Sequence, residues 1–232
     1  MDHELWPLVR MLSLEPVDGA PDKRHTAVVD GVAFFATTTG IGMAAATGAT
    51  ERMLDDLGVE HVIVVGIAGG VAADAEIGDI IVPAVVVDGP SGREHHPTSI
   101  GELEPFGRLV TSDDLLVDPD AFARFESDGI VALDMETSAV ALVCEGRGIP
   151  WSVFRSLSDR PRDGLVDETI LELTNPDGTA DVEALERYLA SDPAAADRLA
   201  QLGRDMEIAT NAVAAAAIAA CAHWRTSDTS PG

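Results

Sequence analysis

Asp134, Glu136, Ser158 and Asp159 stand at spacings that invite chemistry: two carboxylates one residue apart, then a hydroxyl directly followed by a third carboxylate. Acidic side chains gathered in one place can exchange protons with a ligand and accept hydrogen bonds from it. They also have plain structural uses. Glu136 can favour the dipole of a helix first turn, and Asp159 can hydrogen-bond within its own loop.

The flanking residues predict the elements that hold them. Ile130 to Leu133 is a short apolar run, as in a strand buried on both faces. From Thr137, Val140, Ala141, Val143 and Cys144 recur at helical spacing; Gly146 or Gly148 ends that helix, and Pro150 cannot continue it. Trp151 to Leu157 reads as the next strand. A parallel pair needs such a crossover, and the unit is then right-handed. Asp134 and Glu136 would leave the carboxyl end of the first strand, and Ser158 and Asp159 that of the second. In an open α/β sheet that edge is where ligands bind.

Asp134-Met-Glu-Thr-Ser-Ala-Val-Ala141, followed one strand later by Arg155-Ser-Leu-Ser-Asp159, resembles the nucleoside phosphorylase/nucleosidase superfamily. The pattern is most similar to the nucleosidases that hydrolyse methylthioadenosine and S-adenosylhomocysteine. The resemblance implies a single-domain, three-layer α/β/α fold with a central, mostly parallel, partly barrel-like mixed sheet. It implies cleavage of an N-glycosidic bond, which passes through an oxocarbenium-like sugar while negative charge grows on the base. Asp159 would be the acid that protonates the base nitrogen, which requires a carboxyl raised by burial, with Ser158 positioning it. Glu136 would accept the sugar hydroxyls, Met135 would pack on the ribose, and Asp134 joins that substrate-binding set.

Other stretches carry the likeness further. Met1-x-x-Glu4-Leu5-x-x-Leu8 resembles the first turn after strand one in the nucleosidases, where the glutamate lies beside the attacking water, so Glu4 is the candidate general base. An acid there also suits the helix dipole. The family has an apolar strand before this motif, and this sequence begins inside it. Thr39-Gly-Ile-Gly42 opens a helix over Met43 to Leu57, and Gly42 falls near the family's ribose or phosphate site. Gly66-Ile67-Ala68-Gly69-Gly70 resembles a loop whose backbone faces the sugar and the nucleophile; Ile67 stands where the family has a small hydroxyl residue. Gly107 to Leu116 resembles the strand and turn that cover the base, with Leu115 and Leu116 in place of an aromatic and an aliphatic residue. A helix cap by Ser112 or Asp113 is the simpler reading of that turn.

Water and phosphate are both open as nucleophile. The family's phosphorylases carry an arginine just before the Gly-rich loop; here Val64 and Val65 stand there, which favours hydrolysis. Arg10, Arg155, Arg160 and Arg162 could supply cations from elsewhere. A phosphorylase and a non-catalytic nucleoside binder of the same fold are the alternatives. The resemblance also implies a homodimer in which residues 89–116 complete the neighbour's pocket.

Composition bounds the rest. In 232 residues there are 40 acidic and 15 basic side chains, a formal charge of −25, and Lys23 is the only lysine. Such a field repels phosphate backbones and anionic lipid, so neither nucleic acid nor a membrane surface is expected as partner. Cys144 and Cys221 give no disulfide framework and no metal spacing, and no cofactor is expected. His95 and His96 read as part of a solvated loop. No positive n-region precedes an apolar stretch, so no signal peptide is expected. Ala209 to Ala222 reads as too short and weakly apolar to span a bilayer, and a cytoplasmic protein is expected. Residues 1–224 form one domain in this reading, 175–195 an insertion with a short helix, and 225–232 a flexible tail.

Overall fold

The structure, a computed structural model, describes residues 1–114, 119–160, 163–175 and 179–227. The chain runs α1 (Asp2–Leu12), β1 (Glu15–Pro16), β2 (His25–Val29), β3 (Val32–Ala36), α2 (Met43–Asp56), β4 (Val62–Gly70), β5 (Ile80–Ile81), β6 (Val85–Asp88), β7 (Glu94–His95) and β8 (Arg108–Thr111). It continues through α3 (Pro119–Ser127), β9 (Ile130–Asp134), α4 (Thr137–Arg147), β10 (Trp151–Asp159), α5 (Glu168–Leu171), α6 (Val182–Ser191) and α7 (Ala195–Ser227).

Local rules explain most boundaries. Asp30 and Gly31 both take positive φ, 50° and 86°, and close the β2–β3 hairpin with Val29 opposite Val32. Gly148 ends α4 in the left-handed region at φ 68°, where a side chain would be strained. α2 stops one residue earlier than its glycine suggests, because Leu57 is already extended.

Seven strands form one mixed sheet in the order β5-β10-β4-β9-β8-β6-β7, and β1, β2 and β3 form a separate antiparallel sheet. β10 lies parallel to β4, and β8 parallel to both β6 and β9. The layers follow from burial. On one face α2 and α4 set Ala46, Leu54, Val140 and Cys144 against Trp151, Val153 and Leu157. On the other, α7 packs Val213, Ala217 and Ala220 on Phe154 and Val82. Phe154 is fully buried, and removing a ring from such a site costs about 3–5 kcal/mol.

The structure corrects several expectations. β9 and β10 are not a bonded parallel pair, because β4 lies between them; β9 meets β4 antiparallel, only at Gly69 and Gly70. Gly66 to Gly70 is not a loop but the end of β4, with Gly66 to Gly69 opposite Arg155 to Asp159 of β10 and Gly70 opposite Ala132 of β9. The last helix, expected over Leu199 to Ala222, is α7 and begins four residues earlier; Ala195–Ala222 is long and apolar enough, by length and composition, to cross a membrane. In the fold it is the core helix just described. It also continues to Ser227, into the stretch expected as tail; residues 228–232 lie outside the described residues. His95 is not solvated: it is buried, and its Nδ1 lies 2.9 Å from Glu145 Oε2.

β4 has unequal sides. Towards β10 it is paired from Val62 to Gly69. On the other side, over Val62 to Ala68, no strand pairs with it among the described residues.

Candidate active site

A cavity of about 2120 Å³ opens at the carboxyl ends of β4, β9 and β10, and Glu4 of α1 and Gly42 and Met43 at the head of α2 also line it. The sequence-predicted residues Asp134, Met135, Glu136, Ser158 and Asp159 all reach its wall, as do Ile67, Ala68 and Gly69. Sequence-distant carboxylates meet here because three strands end at the same rim. Leu115 and Leu116 lie outside the described residues.

Glu136 stands at the head of α4. Its Oε1 accepts the Gly42 backbone N–H at 3.0 Å, and its Oε2 lies 3.5 Å from Arg155 Nη2. Burial pushes its carboxyl up to about 7; Arg155 opposes that rise and the Asp134 carboxylate adds to it. Asp159 ends β10 and leans on β4, so that a side chain at Gly69 would stand 3.2 Å from its Oδ2. Burial raises the Asp159 carboxyl, against the hydrogen bond that Ser158 Oγ donates to Oδ1 at 2.8 Å, and Asp163 raises it further.

Glu4 behaves differently. Burial alone would raise it, but the Met1 ammonium, Arg155 and the Ile67 backbone N–H hold it below the usual carboxylate range. Its Oε1 accepts that N–H at 3.1 Å. The site therefore holds two carboxyls biased towards the protonated form and one biased towards the ionised form.

Arg155 is the residue that sequence reasoning undervalued. It is buried in the middle of β10 and donates from Nη2 to Asp134 Oδ2 and, at 2.9 Å, to Thr137 Oγ1. Asp134 in turn accepts from Thr111 Oγ1 at 2.6 Å and from the Thr137 backbone N–H at 3.2 Å. With its oxygens so engaged, Asp134 anchors Arg155 beneath the cavity wall. The signal was present in the sequence: an arginine inside a buried strand requires carboxylate partners. Asp113 accepts the Met43 N–H at 2.7 Å at the head of α2. Residues 115–118, before which its place in the sequence also predicts a helix cap, lie outside the described residues.

The arginines able to hold a free anion are few. Arg160 lines the cavity but pairs with Asp163 at 2.7 Å and Glu76 at 2.9 Å. Arg10 is bonded to Asn211 away from the site, and Arg162 lies outside the described residues.

Known proteins bear on this geometry. The sequence profile of the phosphorylase superfamily matches residues 11–105 and 101–206. The 5′-methylthioadenosine/S-adenosylhomocysteine nucleosidase of Aeromonas salmonicida is 28% identical over 159 residues, covering 53% of this chain and 66% of that protein. The chain thus spans just under two thirds of the length of that curated relative. The same-named enzyme of S. pneumoniae, solved with a transition-state inhibitor, superposes with a TM-score of 0.71 at 16% identity over 96% of each chain. Futalosine hydrolase of Helicobacter pylori gives 0.69 at 18% identity, over 96% of this chain and 94% of that one. At such identities the structural likeness is one of fold.

Proposed function

The chain belongs to the phosphorylase superfamily, and from that premise we propose that it is a purine nucleosidase, hydrolysing a nucleoside such as methylthioadenosine or S-adenosylhomocysteine to free base and sugar. The observation that carries this reading is the division of labour among three acids around one cavity: Asp159 and Glu136 raised by burial, Glu4 held ionised.

In the proposed reaction, protonated Asp159 gives its proton to the base nitrogen as the carbon–nitrogen bond breaks. The base then leaves without net negative charge. Glu136, once ionised, accepts the sugar hydroxyls and counters the positive charge that develops on the ring. Glu4 takes a proton from the attacking water, whose oxygen bonds to the anomeric carbon. Ser158 orients the Asp159 carboxyl, Met135 packs against the sugar, and the β4 backbone from Ile67 to Gly69 forms the wall behind the nucleophile. Arg155 stabilises Glu4 and Glu136 as anions.

Water is favoured over phosphate because both described arginines of the cavity, Arg155 and Arg160, already face carboxylates. A phosphate anion there would meet Glu4 and Glu136 without a free bidentate partner. The test is base release from a nucleoside panel with and without phosphate; release that needs phosphate would make the protein a phosphorylase instead. We also assign it a homodimeric state in the cytoplasm, which light scattering tests for the dimer.

A further inference from the structure

Glu136 occupies the cap position of α4, yet its side chain caps nothing there. The first N–H groups of a helix have no partner within it, and the residue just ahead ordinarily supplies one through a side-chain oxygen. In α4 other residues do so. The Thr137 N–H donates to Asp134 Oδ2 at 3.2 Å, and the Ser138 N–H to Thr111 Oγ1 at 3.0 Å. The Ala139 N–H reaches the Glu136 carbonyl at 3.1 Å. The early donors of the helix are thus met, and the Glu136 carboxyl is left at the cavity wall, beside the Gly42 N–H and Arg155.

The residues that take over belong to one row across the sheet. Asp88 ends β6, Thr111 ends β8 and Asp134 ends β9; Asp88 stands opposite Thr111, and Thr111 opposite Asp134. Two residues earlier on the same strands, Val86, Leu109 and Ala132 are buried in the core that α4 covers. The strand period of two puts the polar row on that face as well. Thr111 is fully buried, and a hydroxyl has one proton and two lone pairs. The proton goes to Asp134 Oδ1 at 2.6 Å, which leaves a lone pair for the Ser138 N–H. Asp88 Oδ2 accepts from Ser138 Oγ at 3.1 Å. Buried Ser138 is therefore held twice, by its backbone from β8 and by its side chain from β6. Without Thr111 its N–H would be buried with no acceptor, which is costly, and a cap residue's side chain is the group placed to answer it. That residue is Glu136.

We propose that Thr111 is a positioning residue for the sugar site: it caps α4 in place of Glu136, with Asp88 steadying Ser138, and so keeps the Glu136 carboxyl turned towards the hydroxyls of the ligand. The inference rests on the proposed reading of Glu136 as the acceptor of those hydroxyls. Thr111 and Asp88 do not line the cavity; each acts through the first turn of α4.

The test reads affinity without turnover. In the Asp159→Asn protein at pH 8, where Glu136 with its pKa of about 7 is ionised, calorimetry gives Kd for methylthioadenosine and for its 2′,3′-dideoxy counterpart. The hydroxyls are expected to tighten binding by about 10-fold or more, as hydrogen bonds to a charged group do. Thr111→Val keeps the shape of the side chain without its hydroxyl. It is expected to narrow that preference by about threefold or more, and Thr111→Ser to restore it. Ser138→Ala removes the Asp88 contact, leaves the Asp134–Arg155 pair intact, and is expected to narrow the preference in the same direction. A purely structural role would lower Tm and weaken both ligands alike, leaving the ratio where it was. An unchanged ratio in Thr111→Val, or a Thr111→Ser protein no better than Thr111→Val, would overturn the inference. An unchanged ratio in Ser138→Ala would overturn the part given to Asp88, and the whole if Thr111→Val does not fold. A parent protein indifferent to the hydroxyls would overturn the reading of Glu136 and this inference with it; a discriminating parent matched by Thr111→Val would overturn this inference alone.

Discussion

Arg155 Nη2 lies 3.5 Å from Glu136 Oε2 while it is bonded to Asp134, so one buried cation holds two carboxylates. Burial still wins at Glu136, because Asp134 meets the guanidinium more closely and adds its own negative charge. Arg155→Met should therefore push Glu136 above about 7 and leave Asp134 buried without its cation. Loss of one partner of a buried pair costs about 3–5 kcal/mol, which urea unfolding would measure. An unchanged unfolding midpoint would show that the pair is not what holds the middle of β10.

The raised Glu136 carboxyl makes both stability and activity depend on pH. Its folded pKa of about 7 lies above the ordinary value of 4.5. Its contribution to stability is thus fully present below about 4.5 and is lost as pH rises through about 7. Glu136→Gln removes that loss, so the variant should gain on the wild type by a few kcal/mol, in order of magnitude, between pH 4.5 and pH 8. Activity runs the other way, since the sugar hydroxyls need the anion. The kcat/KM of the wild type should fall as pH drops below about 7, and the variant should be slower by orders of magnitude and lack that limb.

Ser158 donates to Asp159 and so favours its ionised form. Ser158→Ala should raise the Asp159 carboxyl further and move the alkaline limb of kcat/KM to higher pH, whatever happens to its height. A limb that stays in place would place the acid elsewhere.

Gly66 is a space requirement. A Cβ there would overlap Arg155 Nη1 and come within 2.5 Å of Glu4 Oε1; Arg155 is buried and Glu4 partly so. Gly66→Ala should displace the Glu4–Arg155 arrangement and cut kcat by about 100-fold or more, the scale of a misplaced catalytic group. Gly58→Ala is the matched control, because nothing lies within 4 Å of a Cβ at that position. Equal rates for the two variants would contradict the roles of Glu4 and Arg155.

Some of this could be read from residues alone and some could not. The strand–helix–strand from Ile130 to Asp159 announced itself, because apolar runs, helical spacing and Gly148–Pro150 punctuation agree. The Gly66–Gly70 stretch misled, because glycines signal a turn while here they let Arg155, Glu4 and Asp159 approach a strand backbone. The position of β4 between β9 and β10 is a long-range fact that local pattern does not encode. The buried His95 meets Glu145, an acid that sequence spacing does not connect to it.

The central claim is that Asp159 protonates the departing base during attack by water. It is met most directly by following adenine release from methylthioadenosine in phosphate-free buffer, for the wild type and for Asp159→Asn, with Tm recorded for each. The account predicts release by the wild type and a loss of about 100-fold to 10,000-fold in the variant at nearly unchanged Tm. Wild-type turnover by Asp159→Asn, or no adenine from the wild type without phosphate, would contradict it.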